Sequence, residues 1–219
     1  SVSHEIRTPL NIINGFTQVL AEEGSDFEPS ERKGIADTIG KNTSHITSLV
    51  NKMLALANEH SKDLLKDVEV CDALDICKRA ISAMPAVDQT KIKVELEDLA
   101  EGEEKKLVTN SDSLLQMLGN ILENATKFTE EGYIRLTLKK VADFFNFTIE
   151  DTGCGIPDDK ISTIFDRFVK VDEFKEGLGL GLAYCHETAE KLGGTLTLDK
   201  TSSLGTTFTL SLPIKLKTE

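Results

Sequence analysis

The chain has 219 residues and a formal net charge of −12; nucleic-acid affinity rests largely on phosphate neutralisation by Lys and Arg, so this balance argues against DNA or RNA as a partner. Hydrophobic residues make up 39% and charged residues 28%, a texture that supports a buried core in one or two domains. No apolar run approaches the ~18 residues of a membrane span, and no signal peptide is evident.

Ser3-His4-Glu5-Ile6-Arg7-Thr8-Pro9-Leu10 opens the chain, inside a predicted helix over 2–22. Val2, Ile6, Pro9, Ile13, Phe16 and Leu20 recur at steps of three and four. His4, Thr8, Asn11 and Gly15 fall on another, polar face, so His4 is expected to face solvent with Thr8 one turn above it. Pro9 cannot donate to the carbonyl of Glu5 and is expected to bend the helix beside His4. An interior proline costs roughly 3 kcal/mol, which suggests a hinge.

Residues 24–29 read as a turn, and a second helix is predicted from about Ser30 to Glu59. Ile35, Ile39, Asn42, Ile46, Leu49, Met53 and Leu56 step by fours and threes, a heptad seam in which Asn42 is the polar, register-fixing member. Two such helices carry more apolar surface than a hairpin alone can bury. Pairing two hairpins across a two-fold axis into a four-helix bundle solves this; the alternative is that the seam packs on the rest of the same chain.

His60 to Asp63 loosens the pattern, and the texture beyond is mixed α and β. Strands are predicted at 66–71, 91–96, 106–109, 133–141, 144–150, 195–198 and 206–212. Helices are predicted at 73–84 (capped by Asp72), 112–128 (capped by Asn110 or Ser111), 158–168 and 178–192. Ala142-Asp143 forms a tight hairpin turn between two of the strands. The fold class expected is α+β: an N-terminal helical hairpin forming a dimeric four-helix bundle, then an α/β sandwich with a mixed sheet backed on one face by helices.

Three stretches of this second part carry candidate chemistry. The helix over 112–128 has a core stripe of Leu114, Leu118, Ile121, Leu122, Ala125 and Phe128, beside which Asn120, Glu123, Asn124 and Lys127 line up. Amide oxygens suit a hard cation such as Mg2+ and a lysine suits phosphate, though the same row also reads as a solvated face. The strand ending at Glu150 puts Phe145, Phe147, Ile149 and Asp151 on one buried face. A buried carboxylate needs a partner, for which an exocyclic amino group such as adenine's would serve, or an Asx turn would. Asp151-Thr152-Gly153-Cys154-Gly155-Ile156-Pro157 follows, where glycines admit a close approach. Gly177-Leu178-Gly179-Leu180-Gly181-Leu182 then opens a helix whose bare amides favour phosphate; its spacing is neither the Rossmann fingerprint nor a P-loop. Eight of the fifteen glycines lie between Gly153 and Gly205. Phe165-Asp166-Arg167-Phe168 stands between the glycine segments, and the charged segment Val169 to Glu176 reads as a lid over the nucleotide. Cys71, Cys77, Cys154 and Cys185 fit no zinc framework and suggest free thiols in a reducing compartment.

In this order the motifs resemble the box set of a sensor histidine kinase core: His4-Glu5 with Pro9, Asn120-x-x-x-Asn124-Ala125-x-Lys127-Phe128-Thr129, Asp151-x-Gly153-x-Gly155-Ile156-Pro157, Phe165-x-x-Phe168, the triple glycine, and Gly205-Thr206-Thr207-Phe208. The resemblance implies a dimerisation and phosphoacceptor domain over 1–62, a linker over 63–67 and a Bergerat-type (GHKL) ATP-binding domain over 68–219. It implies that His4 accepts the γ-phosphoryl group of ATP, with Glu5 holding the imidazole tautomer and acting as base. Asn120 and Asn124 would hold Mg2+, Lys127 would contact phosphates and Asp151 the adenine amino group. Gly153, Gly155, Gly177, Gly179, Gly181 and Thr207 would complete the nucleotide site, with Arg167 stabilising transferring charge and Thr8 orienting water against a phosphorylated partner. The partners implied are a second copy of the chain and a response-regulator receiver domain. Leu178 stands where many members have a small polar residue. The family's first helix extends well upstream of its histidine, so the resemblance implies a sensor or membrane region preceding this sequence. The protein is then expected in the cytoplasm, as a free enzyme or as the cytoplasmic portion of an inner-membrane sensor. Two rivals are a nucleotide-sensing module without phosphotransfer and a gyrase-like ATPase without a phosphohistidine.

Overall fold

The computed structural model describes residues 2–21, 27–59, 64–102, 105–172 and 177–216, with the side chains of 2–4, 48, 51, 52 and 54–59 outside the description. The chain divides into two compact units, residues 1–62 with 176–178, and residues 63–175 with 179–219.

The first unit is a helical hairpin of α1 (Val2–Ala21) and α2 (Pro29–Glu59). α1 runs through Pro9, whose side chain is buried. Ile6, Ile13 and Phe16 are half-buried on the same stripe as Pro9, whereas Leu20 is exposed. In α2, Leu49 is buried and Ile35, Ile39, Asn42, Ile46 and Met53 are half-buried, so the heptad seam is the face α2 turns inward. Asn42 donates from Nδ2 to the carbonyl of Thr38 at 2.8 Å, meeting its need on its own helix. The expected turn at 24–29 falls largely on residues 22–26, and the start of the linker on 60–63, both outside the described residues.

The second unit is built on a five-stranded sheet in the order β2 (Ile92–Asp98), β4 (Gly132–Val141), β5 (Phe144–Asp151), β7 (Gly205–Pro213), β6 (Thr195–Ser202). β2 and β4 are parallel and the other pairs antiparallel. β1 (Glu69–Asp72) and β3 (Lys106–Thr109) form a separate two-stranded antiparallel sheet. α3 (Ala73–Ala83), α4 (Ser111–Phe128) and α6 (Gly181–Lys191) pack on the large sheet. Period-two alternation determines which side chains they cover. Ile134, Leu136 and Leu138 of β4, Phe145, Phe147 and Ile149 of β5, and Phe208, Leu210 and Leu212 of β7 are buried in register with one another. They meet Leu114, Leu118, Ile121 and Leu122 of α4, all fully buried. The opposite face is polar: Arg135 donates from Nε to Glu95 at 2.8 Å, and Thr148 and Thr209 share a hydrogen bond at 2.9 Å.

The helix starts follow from local chemistry. Asp72 caps α3 by accepting from the amides of Leu74 and Asp75 at 2.9 and 3.0 Å, and Asn110, not Ser111, caps α4 through Ser113 N–H at 2.9 Å. Three predicted elements shrink or shift. Residues 64–67 are turns, so β1 begins at Glu69. The helix predicted over 158–168 is only α5 (Asp158–Ile161). Beyond it Thr163 donates to Lys160 and Asp166 to Thr163, single three-residue turns, because Phe165 leaves the helical path to stack on His186, ring centres 4.9 Å apart. The helix predicted from 178 starts at Gly181, since Gly179 has φ +65, in the left-handed region that an α-helix cannot contain.

Candidate active site

β5 carries Asp151 to the end of the sheet on the buried face, as the alternation predicted, and leaves it 8% exposed. Its Oδ1 accepts the Gly153 amide at 2.8 Å, and the Thr206 backbone gives a second hydrogen bond. The Asx turn and the buried carboxylate, alternatives in the sequence, are therefore one arrangement. Burial raises the carboxyl pKa above its ordinary 3.8, and those two amides only partly offset it. The group is thus short of positive partners, which is the condition for taking a hydrogen-bond donor from a ligand.

Gly153 is buried against the end of α4: a Cβ there would lie 2.7 Å from the Phe128 carbonyl oxygen, the oxygen that also accepts the Cys154 amide at 3.4 Å. The loop after β5 is in this way tied to the C-terminus of the helix that carries Asn120, Asn124 and Lys127. Gly155 lies against the Ser202 carbonyl, and Ile156 N–H donates to Thr201 Oγ1 at 2.8 Å, anchoring the loop to β6. Gly205, φ +136, sits on the Asp151 carbonyl, where a Cβ would be 1.9 Å from the oxygen. The space these glycines leave is filled by the protein's own backbone.

Asn120 and Asn124 are both half-buried, four residues apart and so on one face of α4. Asn120 packs against the start of α6: its Cβ and Cγ lie 3.6 and 3.7 Å from where a Cβ on Gly181 would be, and its Nδ2 reaches Cys185 Sγ at 3.8 Å. α6 begins without a side-chain cap, so its first-turn amides keep their capacity for an acceptor. Lys127 lies over the Phe128 ring, 5.4 Å from its centre. The amide pair on α4 suits a hard cation that keeps phosphate oxygens among its ligands. Among the described residues no group of three or more His, Cys, Asp and Glu is placed to hold a metal by itself.

Two candidates stand in surroundings that the sequence did not show. Thr207 stands opposite Glu150 and is half-buried on the far face of the sheet, whereas Thr206 stands opposite Asp151 and is buried beside it. Alternation back from Phe208 would have picked Thr206. Arg167, expected near transferring charge, makes a two-pronged pair with Glu187 of α6, both contacts 2.7 Å. Phe168 is held with φ +67 while its amide donates to the Gly179 carbonyl at 2.9 Å; a Cβ on Gly179 would lie 2.3 Å from the Val169 carbonyl oxygen. Gly177 also has positive φ, +131. The lid expected over 169–176 falls half on 173–176, outside the described residues.

In the first unit, α1 carries His4, Glu5 and Thr8 within its first two turns. Glu5 is half-buried and Thr8 exposed; the side chain of His4, and with it the expectation that it faces solvent, lies outside the described residues.

Residues 1–62 match the His Kinase A (phospho-acceptor) domain family and residues 109–216 the histidine kinase-, DNA gyrase B- and HSP90-like ATPase family. Sensor protein SrrB of Staphylococcus aureus strain MRSA252 is 31% identical over 226 aligned positions, which take in 97% of this chain and 37% of SrrB. The chain thus spans little more than a third of the curated relatives it matches. Full-length ShkA, solved in complex with AMPPNP, is 27% identical with a TM-score of 0.73 over 99% of this chain and 45% of ShkA. The histidine kinase ThkA, solved in complex with the response regulator TrrA, is 21% identical with a TM-score of 0.71 over 97% of this chain and 60% of that one. With the phosphoacceptor family matched over its N-terminal residues and the histidine kinase-like ATPase family matched after it, the chain belongs to the sensor histidine kinases, of which it carries the catalytic core.

Proposed function

We propose that the chain is an ATP-dependent protein-histidine kinase that phosphorylates His4 and passes the phosphoryl group to an aspartate of a response-regulator receiver domain. One observation carries the reading most: the buried, under-partnered Asp151 is tied through Gly153 to the end of α4, whose Asn120 meets the start of α6. From Asn120 to Phe128 the helix rises about 12 Å, which sets the two ends of the proposed site apart along α4. Adenine would sit at the Asp151 end, its amino group donating to the carboxylate, and the phosphates at the Asn120 end near the uncapped amides of α6. The AMPPNP complex of ShkA supports ATP as the ligand.

His4 would attack with one imidazole nitrogen, forming a bond to the γ-phosphorus as the bond to the β–γ bridging oxygen breaks and ADP leaves. Glu5 takes the proton of the other ring nitrogen and holds the tautomer. Asn120 and Asn124 present amide oxygens to Mg2+, and Lys127 contacts the phosphates. When bound, Mg2+ supplies charge neutralisation on the phosphates, most of what phosphoryl transfer asks beyond positioning. Gly153, Gly155, Gly179 and Gly181 shape the backbone around the nucleotide. Thr206, buried opposite Asp151, joins Thr207 as a candidate at that end of the site. Arg167 acts on transferring charge only by leaving Glu187, and Thr8 orients water against a phosphorylated regulator.

The domains of this reading are 1–62 for dimerisation and phosphoacceptance, 63–67 as linker and 68–219 for catalysis. Leu10, Ile12, Val19 and Leu20 of α1 and Val50 of α2 are exposed apolar residues on the hairpin, which supports a second copy closing a four-helix bundle. No helix among the described residues is long and apolar enough to cross a membrane; the reading places this core in the cytoplasm, joined to a sensor region. Incubation with γ-labelled ATP and Mg2+ tests the proposal. Label on the protein that is lost in acid, kept in base and chased onto a receiver domain is expected. Acid-stable label, or none, would overturn it.

A further inference from the structure

The Cys185 thiol is fully buried between α6 and α4, and it touches two polar groups. It donates from Sγ to the Met117 carbonyl at 3.4 Å, and Asn120 Nδ2 reaches it at 3.8 Å. The Met117 carbonyl is an acceptor only, so the S–H is committed to it and the sulfur can only accept elsewhere. An amide presents either its oxygen or its nitrogen in a given direction. A sulfur that can only accept takes the nitrogen, and the oxygen is turned away from it. Gly181, one turn before Cys185, also lies beside Asn120: a Cβ added to it would be 3.6 and 3.7 Å from Asn120 Cβ and Cγ.

We infer that Cys185 is a positioning residue for Asn120, fixing the amide so that its oxygen, not its nitrogen, faces the metal–phosphate end of the nucleotide site. This rests on the proposed role of Asn120 as a Mg2+ ligand. With the thiol removed, the amide samples both orientations, and in one of them NH2 opposes the cation.

The test is a titration of Mg2+ in the presence of AMPPNP, following nucleotide affinity calorimetrically in the full chain, together with the side-chain amide NMR signals of Asn120 in nucleotide-free protein. For Cys185→Ala, a rise of about three- to tenfold in the Mg2+ needed for half-maximal effect is expected, the scale of one weak hydrogen bond. The Asn120 amide proton signals should move in the same variant. Cys185→Ser restores a donor and acceptor and is expected to return the Mg2+ requirement to within about twofold of the parent, even if it melts lower. Equal shifts in the Ala and Ser variants, or no shift in Ala, would overturn the inference. Asn120→Ala separates the underlying reading: if it leaves the Mg2+ dependence unchanged, Asn120 is no metal ligand and that role fails, whatever Cys185 does; if it shifts the dependence while Cys185→Ala does not, only the positioning role fails.

Discussion

At Asp151 the carboxylate is buried at a strand end with two backbone amides as partners, Gly153 and Thr206. Replacing it with Asn keeps an acceptor for Gly153 but removes the charge that would receive an adenine amino group. Asp151→Asn is expected to weaken nucleotide binding at least tenfold, about 1.4 kcal/mol, in a calorimetric titration; unchanged affinity would move adenine elsewhere. The raised pKa makes a second prediction. Above the ordinary carboxylate value of 3.8 the unfolded chain has lost this proton while the folded, nucleotide-free protein still holds it. Stability from this group is therefore present at low pH and lost as pH rises through the raised folded value. Urea midpoints across that range should fall more steeply with pH in the parent than in Asp151→Asn. Gly205 is the residue on which Asp151 rests. At φ +136, with a Cβ 1.9 Å from the Asp151 carbonyl oxygen, Gly205→Ala is expected to cost about 2–4 kcal/mol and lower the thermal midpoint.

Among the elements, α4 links the two ends of the proposed nucleotide site: its C-terminus holds the loop after β5 and its middle meets α6. Its start depends on Asn110, which is buried and gives its side-chain oxygen to Ser113 N–H. Asn110→Ala should lower unfolding free energy by about 1–2 kcal/mol in denaturant titration, while nucleotide affinity of the folded protein stays near the parent's because the cap lies ten residues before Asn120. Most elements were legible because periodicity is local: the alternation along β5 and the stripe on α4 are written in adjacent residues. The segment after α5 was not. Its residues are compatible with a helix, and the turn is imposed by Phe165 packing on His186 and against Phe208, whose ring centre is 6.3 Å away.

For the molecule as a whole, the proposal requires that nucleotide binding and phosphoacceptance be separable. His4→Gln is expected to abolish labelling from ATP and leave nucleotide affinity within about twofold of the parent, since His4 belongs to the first compact unit and Asp151 to the second. A matching loss of affinity would give His4 a structural role. Steady ATP turnover that His4→Gln does not alter would support a gyrase-like ATPase.

From the sequence alone came the helical hairpin with its seam, the α/β second part, the motif order and the buried placement of Asp151, because amphipathic period, strand alternation and glycine spacing are properties of neighbouring residues. Tertiary structure decided what pairing and packing across distant segments control. Register put Thr206, not Thr207, beside Asp151. The fork to Glu187 claimed Arg167. The backbones of Phe128 and Ser202 filled the space beside Gly153 and Gly155. And Cys185, a thiol that matched no motif in the sequence, came to rest against the amide of Asn120, 65 residues away along the chain.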